Sequence, residues 1–119
     1  MLRAIENPHA DILFHPTGRL IGKRDAYDID MEKIILAAKR TGTVLEINAF
    51  PDRSDMKDEY IRRCVGEGVR MSIDSDAHSV SHFGYLDLGV AQARRGWAEA
   101  GDVINTQPLD KCLSCLKND

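Results

Sequence analysis

Asp76-Ala77-His78 closes the run Val69-Arg-Met-Ser-Ile-Asp-Ser-Asp76, which alternates with a period of two. Val69, Met71 and Ile73 fall on one face, and Ser72, Asp74 and Asp76 on the other. A carboxylate and an imidazole at the tip of a buried strand make a metal-ligand pair. The same two residues also make an ordinary strand-end hydrogen bond, in which Asp76 orients the ring of His78. A second imidazole, His15, ends the run Asp11-Ile-Leu-Phe-His15. Glu46 lies inside the apolar run Thr43-Val-Leu-Glu-Ile-Asn48 and reads as a buried carboxylate in need of a partner. It serves either as a base behind a ligand or in a structural ion pair or backbone hydrogen bond.

The elements that must hold these residues alternate along the chain. Leu2 to Glu6 reads as the last turn of a helix, stopped by Asn7-Pro8, so the chain looks cut from something longer. Strand Asp11–His15 leads into a loop from Pro16 to Ala26 that carries Gly18, Gly22, Arg19, Lys23 and Arg24. Glycines and basic side chains suit an anion, yet also describe a solvated basic loop. The loop is not a nucleotide-binding P-loop: three residues separate Gly18 from Gly22, not four, and Arg24 follows Lys23 where Ser or Thr belongs. Asp28 or Asp30 caps a helix to about residue 41, with Gly42 as its stop and Met31, Ile34, Ile35 and Ala38 as its stripe. Strand 43–48 follows, then a loop with Arg53, and a helix over 55–66 capped by Ser54 or Asp55. After strand 69–76 the spacing predicts a helix over 82–95 that packs through Phe83, Leu86, Val90 and Ala93. Asp102–Asn105 reads as a fourth short strand, and 107–117 as a last helix with Leu109, Cys112, Leu113 and Leu116 inward. Trp97 and the lone Cys112-x-x-Cys115 pair read as packing residues.

The order is strand then helix, four times over. The fold class is therefore α/β, four βα units with parallel strands and right-handed crossovers. In such folds function collects at the C-terminal strand ends, where His15, Asn48, Asp76 and His78 all lie.

Size and charge bound the rest. A chain of 119 residues is one domain or part of one, and buries roughly 65% of its extended surface. A net charge of −3 argues against strong non-specific binding to DNA or membranes. No apolar run approaches the ~20 residues of a membrane span, and Met1–Glu6 has no signal-peptide core. Three cysteines, an odd count with no disulfide framework, point to a reducing, cytoplasmic setting.

Taken together, His15-Pro-Thr-Gly-Arg19, Leu45-Glu-Ile-Asn48-Ala, Ser75-Asp-Ala-His-Ser79, Ala93-Arg-Arg-Gly-Trp97 and Asp102-Val-Ile-Asn-Thr106 resemble the polymerase and histidinol phosphatase (PHP) superfamily. They resemble most of all the C-terminal PHP domain of bacterial and archaeal family-X DNA polymerases. The resemblance implies half of a distorted (β/α)7 barrel, with residues 1–119 as one unit, its C-terminal half. It implies a cluster of divalent metal ions (manganese, zinc or iron) at the barrel mouth, with His15, Asp76 and His78 as ligands. Arg19, Asn48 and Arg53 would contact substrate phosphate. No residue is assigned as nucleophile or general base. The family's His-x-His motif and further ligands are not in this chain, where His9 and His82 are the other histidines.

The expected function is therefore that of a metal-dependent phosphoesterase, as in the 3′→5′ exonuclease and 3′-end-processing part of a family-X polymerase, incomplete here. The alternative is a non-catalytic metal-binding or structural remnant. A half-barrel exposes two sheet edges and an apolar lumen face, so the expected partner is a second copy or an N-terminal half of the barrel.

Overall fold

The fold comes from a computed structural model, which describes residues 1–117. Its centre is β2 (Val44–Asn48), flanked by β1 (Ile12–Leu13) and β3 (Met71–Asp74) in a parallel sheet of order β1-β2-β3. Ile12 pairs with Val44 and Leu13 with Leu45; Glu46 pairs with Ser72 and Asn48 with Asp74. Helix α1 (Leu2–Glu6) precedes the sheet. The parallel connections run through α2 (Met31–Thr41) and α3 (Asp58–Glu67). Helices α4 (Leu86–Arg95) and α5 (Leu109–Ser114) follow β3. The α/β reading with parallel strands and alternating helices holds.

Local chemistry sets the helix ends. Asp30 caps α2 by accepting the Lys33 N–H, and Gly42, at φ 75°, ends it in the left-handed conformation that costs glycine least. The stripe expected for α2 is buried, and Ile34, Ile35 and Ala38 pack with Leu45, Ile47, Met71 and Ile73 of the sheet. Ile61 and Cys64 of α3 complete that layer. Each fully buried Ile or Leu contributes about 1.5–3 kcal/mol. The opposite sheet face is also buried at β2, where Val44, Glu46 and Asn48 are at most 2% exposed. The expected apolar lumen face is instead mostly polar; it is closed to solvent at β2, while Ile12 and Asp74 beside it are half-buried.

Three local expectations change. First, the strand expected over Asp102–Asn105 shrinks to one parallel bridge, Met71 to Val103. Residues 100–102 and 104–106 wind into 3-10 turns around it, and the Thr106 hydroxyl donates to the Ala100 and Val103 carbonyls. The Asn105 carboxamide then stands in for a strand peptide: it donates to the Ile73 carbonyl at 2.7 Å and accepts the Ile73 N–H at 3.0 Å. The free edge of β3 is covered by these contacts.

Second, α4 does not pack through its large residues. Residues 80–85 wind into a 3-10 turn, so α4 begins later than the expected 82, and Phe83 on that turn is exposed; within α4 Leu86 and Val90 are exposed, whereas Gly89 and Ala93 are buried. A methyl on Gly89 would overlap the side chains of Ile73 and Ala49, so the helix backbone itself lies on the sheet. Close approach along a small-residue line turns the large residues outward. Likewise Leu109 and Leu113 of α5 are exposed. Third, α3 begins later than expected, with Lys57 at its N-cap, because Asp55 is used elsewhere.

Trp97 is 67% exposed, with the Arg62 guanidinium 4.0 Å above its ring. Gly96 beside it presses on Ile61, and Arg95 pairs with Asp58. The Arg-Arg-Gly-Trp stretch thus clamps α4 to α3. Among the described residues, no helix is long and apolar enough to cross a membrane.

Candidate metal and phosphate site

His15 and Asp76 stand just past the C-terminal ends of β1 and β3, and both are held in the left-handed backbone region, at φ 49° and 51°. For residues with a Cβ this costs on the order of 1–3 kcal/mol each, and such strain collects at functional sites. Each strained residue is tied down by a carboxylate. Glu46 accepts the His15 backbone N–H at 2.6 Å, and Asp74 accepts the Asp76 N–H at 3.1 Å. These anchors lie at the C-terminal ends of paired strands, Glu46 opposite Ser72 and Asn48 opposite Asp74. Burial pushes the Glu46 carboxyl up to about 9; the neighbouring carboxyls of Asp74 and Asp76 add to it, and the His15 N–H opposes it. One of the two readings of Glu46, a buried carboxylate spent on a backbone hydrogen bond, is what its geometry shows.

Asn48 is the hub. It is fully buried, and its Nδ2 lies 3.2 Å from Asp76 Oδ2, 3.3 Å from Glu46 Oε1 and 3.5 Å from His15 Nδ1. Its Oδ1 accepts the Phe50 N–H at 3.0 Å. The sequence reading offered Asn48 to substrate phosphate; here its amide is spent on bracing His15, Glu46 and Asp76.

The two mouth loops are fastened together. The Asp55 carboxylate, fully buried, accepts the Thr17 N–H, the Thr17 hydroxyl and the Gly18 N–H, which fixes the turn after His15. Arg19 donates to the carbonyls of Arg53 and Ser54. Its guanidinium is thereby committed to the 50–55 loop. Arg53 is placed differently. Its Nε is 3.7 Å from Asp76 Oδ2, and its Nη1 is buried with no hydrogen-bond partner. A buried guanidinium nitrogen left unpaired is costly, and an anion at this corner would satisfy it. Among the described residues the other such orphan is Ser72 Oγ, on the same sheet face as Glu46.

His78 is exposed, on the turn beyond Asp76. Its Nδ1 lies 2.6 Å from the Asp76 carbonyl oxygen, which only accepts, so Nδ1 carries the proton and Nε2 keeps its lone pair. That is the tautomer of a metal-binding imidazole. The donor types of His15, Asp76 and His78 therefore suit a divalent ion. Their grouping does not complete one: among the described residues no set of three or more His, Cys, Asp or Glu side chains is gathered to hold a metal. His15 and Asp76 come together around Asn48, and His78 meets Asp76 at its backbone carbonyl. His9 is exposed and bonds only to Asn7 through its backbone. Cys112 and Cys115 are free and half-buried.

Sequence reasoning missed Asp74 and Asp55 as anchors and His82 as a neighbour of His78. The signal for Asp74 was present, since it shares a strand face with Asp76; nothing local marked Asp55.

The chain is homologous to part of the DNA polymerase/3'-5' exonuclease PolX of Bacillus subtilis (strain 168), at 41% identity over 114 residues, 96% of this chain and 20% of that protein. It also matches a probable phosphatase of Thermoanaerobacter sp. (strain X514) at 29% identity, covering 89% of this chain and 43% of that protein. A probable phosphatase of Caldicellulosiruptor bescii matches at 32%, covering 74% of this chain and 36% of that protein. The chain thus spans about a fifth of the PolX relative and less than half of the phosphatases. No protein-family model matches it.

Proposed function

We propose that the chain is the C-terminal half of a PHP-type barrel and supplies part of a metal-dependent phosphoesterase site, acting on a phosphate ester or a nucleic-acid 3′ end. The observation that carries this reading is Arg53, with an unpaired guanidinium nitrogen beside Asp76 at the strand ends. The relatives named an exonuclease and probable phosphatases support the reaction class. His15, Asp76 and His78 are this chain's share of the ligands for manganese, zinc or iron; the remaining ligands come from a second copy or an N-terminal half. Such an ion, when bound, supplies a Lewis acid and lowers the pKa of a coordinated water toward ~7. Arg53 binds the phosphate oxygens and offsets their charge. Arg19 and Asp55 hold Arg53 and His15 in place, and Asn48 keeps His15 and Asp76 facing one another.

The test is hydrolysis of bis(p-nitrophenyl) phosphate and of a 3′-phosphorylated oligonucleotide by the size-resolved protein loaded with manganese or zinc. Metal-dependent turnover is expected, lowered about 100-fold in R53A and abolished in D76A. Turnover without metal would refute the reading. Metal binding without turnover in every assembly state would leave the second reading, a non-catalytic metal-binding or structural module.

A further inference from the structure

His82 lies outside the ligand set, yet the turn bearing His78 is built on it. Its Nδ1 sits 3.0 Å from the backbone nitrogen of His78 and accepts that N–H, so its own proton is on Nε2. The ring is half-buried in an aromatic cage. Tyr85 stacks on it at 5.1 Å and 22°, and Phe50 meets it edge-on at 5.2 Å and 84°. Phe50 also meets the ring of His78 edge-on, at 5.9 Å and 77°. Its backbone N–H is the one accepted by Asn48. The cage therefore joins the His78 turn to the His15–Asn48–Asp76 network.

Two hydrogen bonds thus define the turn. One runs from the His78 N–H to His82, the other from His78 Nδ1–H to the Asp76 carbonyl. The first holds the backbone so that the second forms, because His78 is otherwise solvent-exposed and free to take either tautomer. We propose that His82 is a positioning residue for His78: seated between Tyr85 and Phe50, it holds the 76–78 turn so that His78 keeps its proton on Nδ1 and offers Nε2 outward. The geometry stands alone; its consequence for metal binding rests on the reading of His78 as a ligand.

The experiment is nitrogen-15 and carbon-13 NMR of the histidine rings in the full chain at about pH 8, above the ordinary imidazole pKa of ~6.5. His78 is expected in the Nδ1–H form in the unsubstituted protein and in His82→Asn, whose side-chain oxygen takes the same N–H. In His82→Ala it is expected as a mixture of tautomers. A His78 that is Nε2–H in the unsubstituted protein, or that keeps the Nδ1–H form in His82→Ala, would overturn the inference. Titration with Mn²⁺ separates it from the functional reading. His82→Ala should bind about 10–100-fold more weakly and His82→Asn near normally. Failure of the unsubstituted protein to bind Mn²⁺ would remove the ligand role while the tautomer result still decides the positioning role.

Discussion

At the scale of single residues, the site is a set of polar groups that hold one another in costly conformations. Glu46 shows this in its response to pH. Its folded carboxyl keeps a proton up to about 9, while the unfolded chain releases it near the ordinary 4.5. Between those values the folded state binds more protons, so stability falls as pH rises, by up to ~1.4 kcal/mol per pH unit from this one group. The contribution is complete below 4.5 and lost by about 9. Glu46→Gln keeps a neutral side chain at all pH. Urea melts of the metal-free protein should show this variant flatter across that window and relatively more stable at its alkaline end; parallel curves for the two proteins would contradict the assignment. Burial also pushes the Cys64 thiol up to about 12. In the native protein Cys64 should resist thiol reagents that label the half-buried Cys112 and Cys115, and counting labelled thiols before and after unfolding checks this.

At the scale of elements, two contacts decide how α4 and the end of the chain attach to the sheet. Gly96 has no room for a side chain, since a methyl would overlap Ile61 and reach 3.0 Å from the Asp58 carbonyl oxygen. Gly96→Ala should cost about 1–3 kcal/mol by prying α4 from α3, read as a drop in melting temperature. Asn105 pairs with both backbone groups of Ile73. Asn105→Ala uncovers them, with an expected cost of about 1–2 kcal/mol and faster amide exchange at Ile73. An unchanged exchange rate there would mean that the carboxamide is not closing the strand edge.

For the whole molecule, large apolar side chains stay on the outside. Val80 is 83% exposed, Leu109 74%, Phe83 61%, and Phe14, next to edge strand β1, 54%. Exposed groups of this size, one of them next to an edge strand, favour association. Sedimentation velocity of the purified chain should show a dimer or larger species that shifts toward monomer in Phe14→Lys and Phe83→Lys. A monomer at every concentration tested would rule out self-association through these faces.

The sequence by itself determined the parallel α/β order, the α2 cap and stop, and the placing of His15, Asn48, Asp76 and His78 at strand ends. Each follows from short-range rules: the period of two or 3.6, a capping carboxylate, a glycine after a helix. Only the tertiary structure decided which partners those residues meet there. Asn48 and Arg19 bear the same marks as phosphate contacts in the sequence, yet Asn48 is buried among His15, Glu46 and Asp76, and Arg19 is bound to the Arg53 and Ser54 carbonyls. The packing of α4 through Gly89 rather than Leu86 and Val90, and the reduction of the fourth strand to Val103, were likewise invisible along the chain. Hydrophobic spacing says which residues share a helix face, but the distance of closest approach between helix and sheet says which face is used. Partners separated by some thirty or forty residues, such as Asp55 and Thr17, leave no local pattern for a single sequence to show.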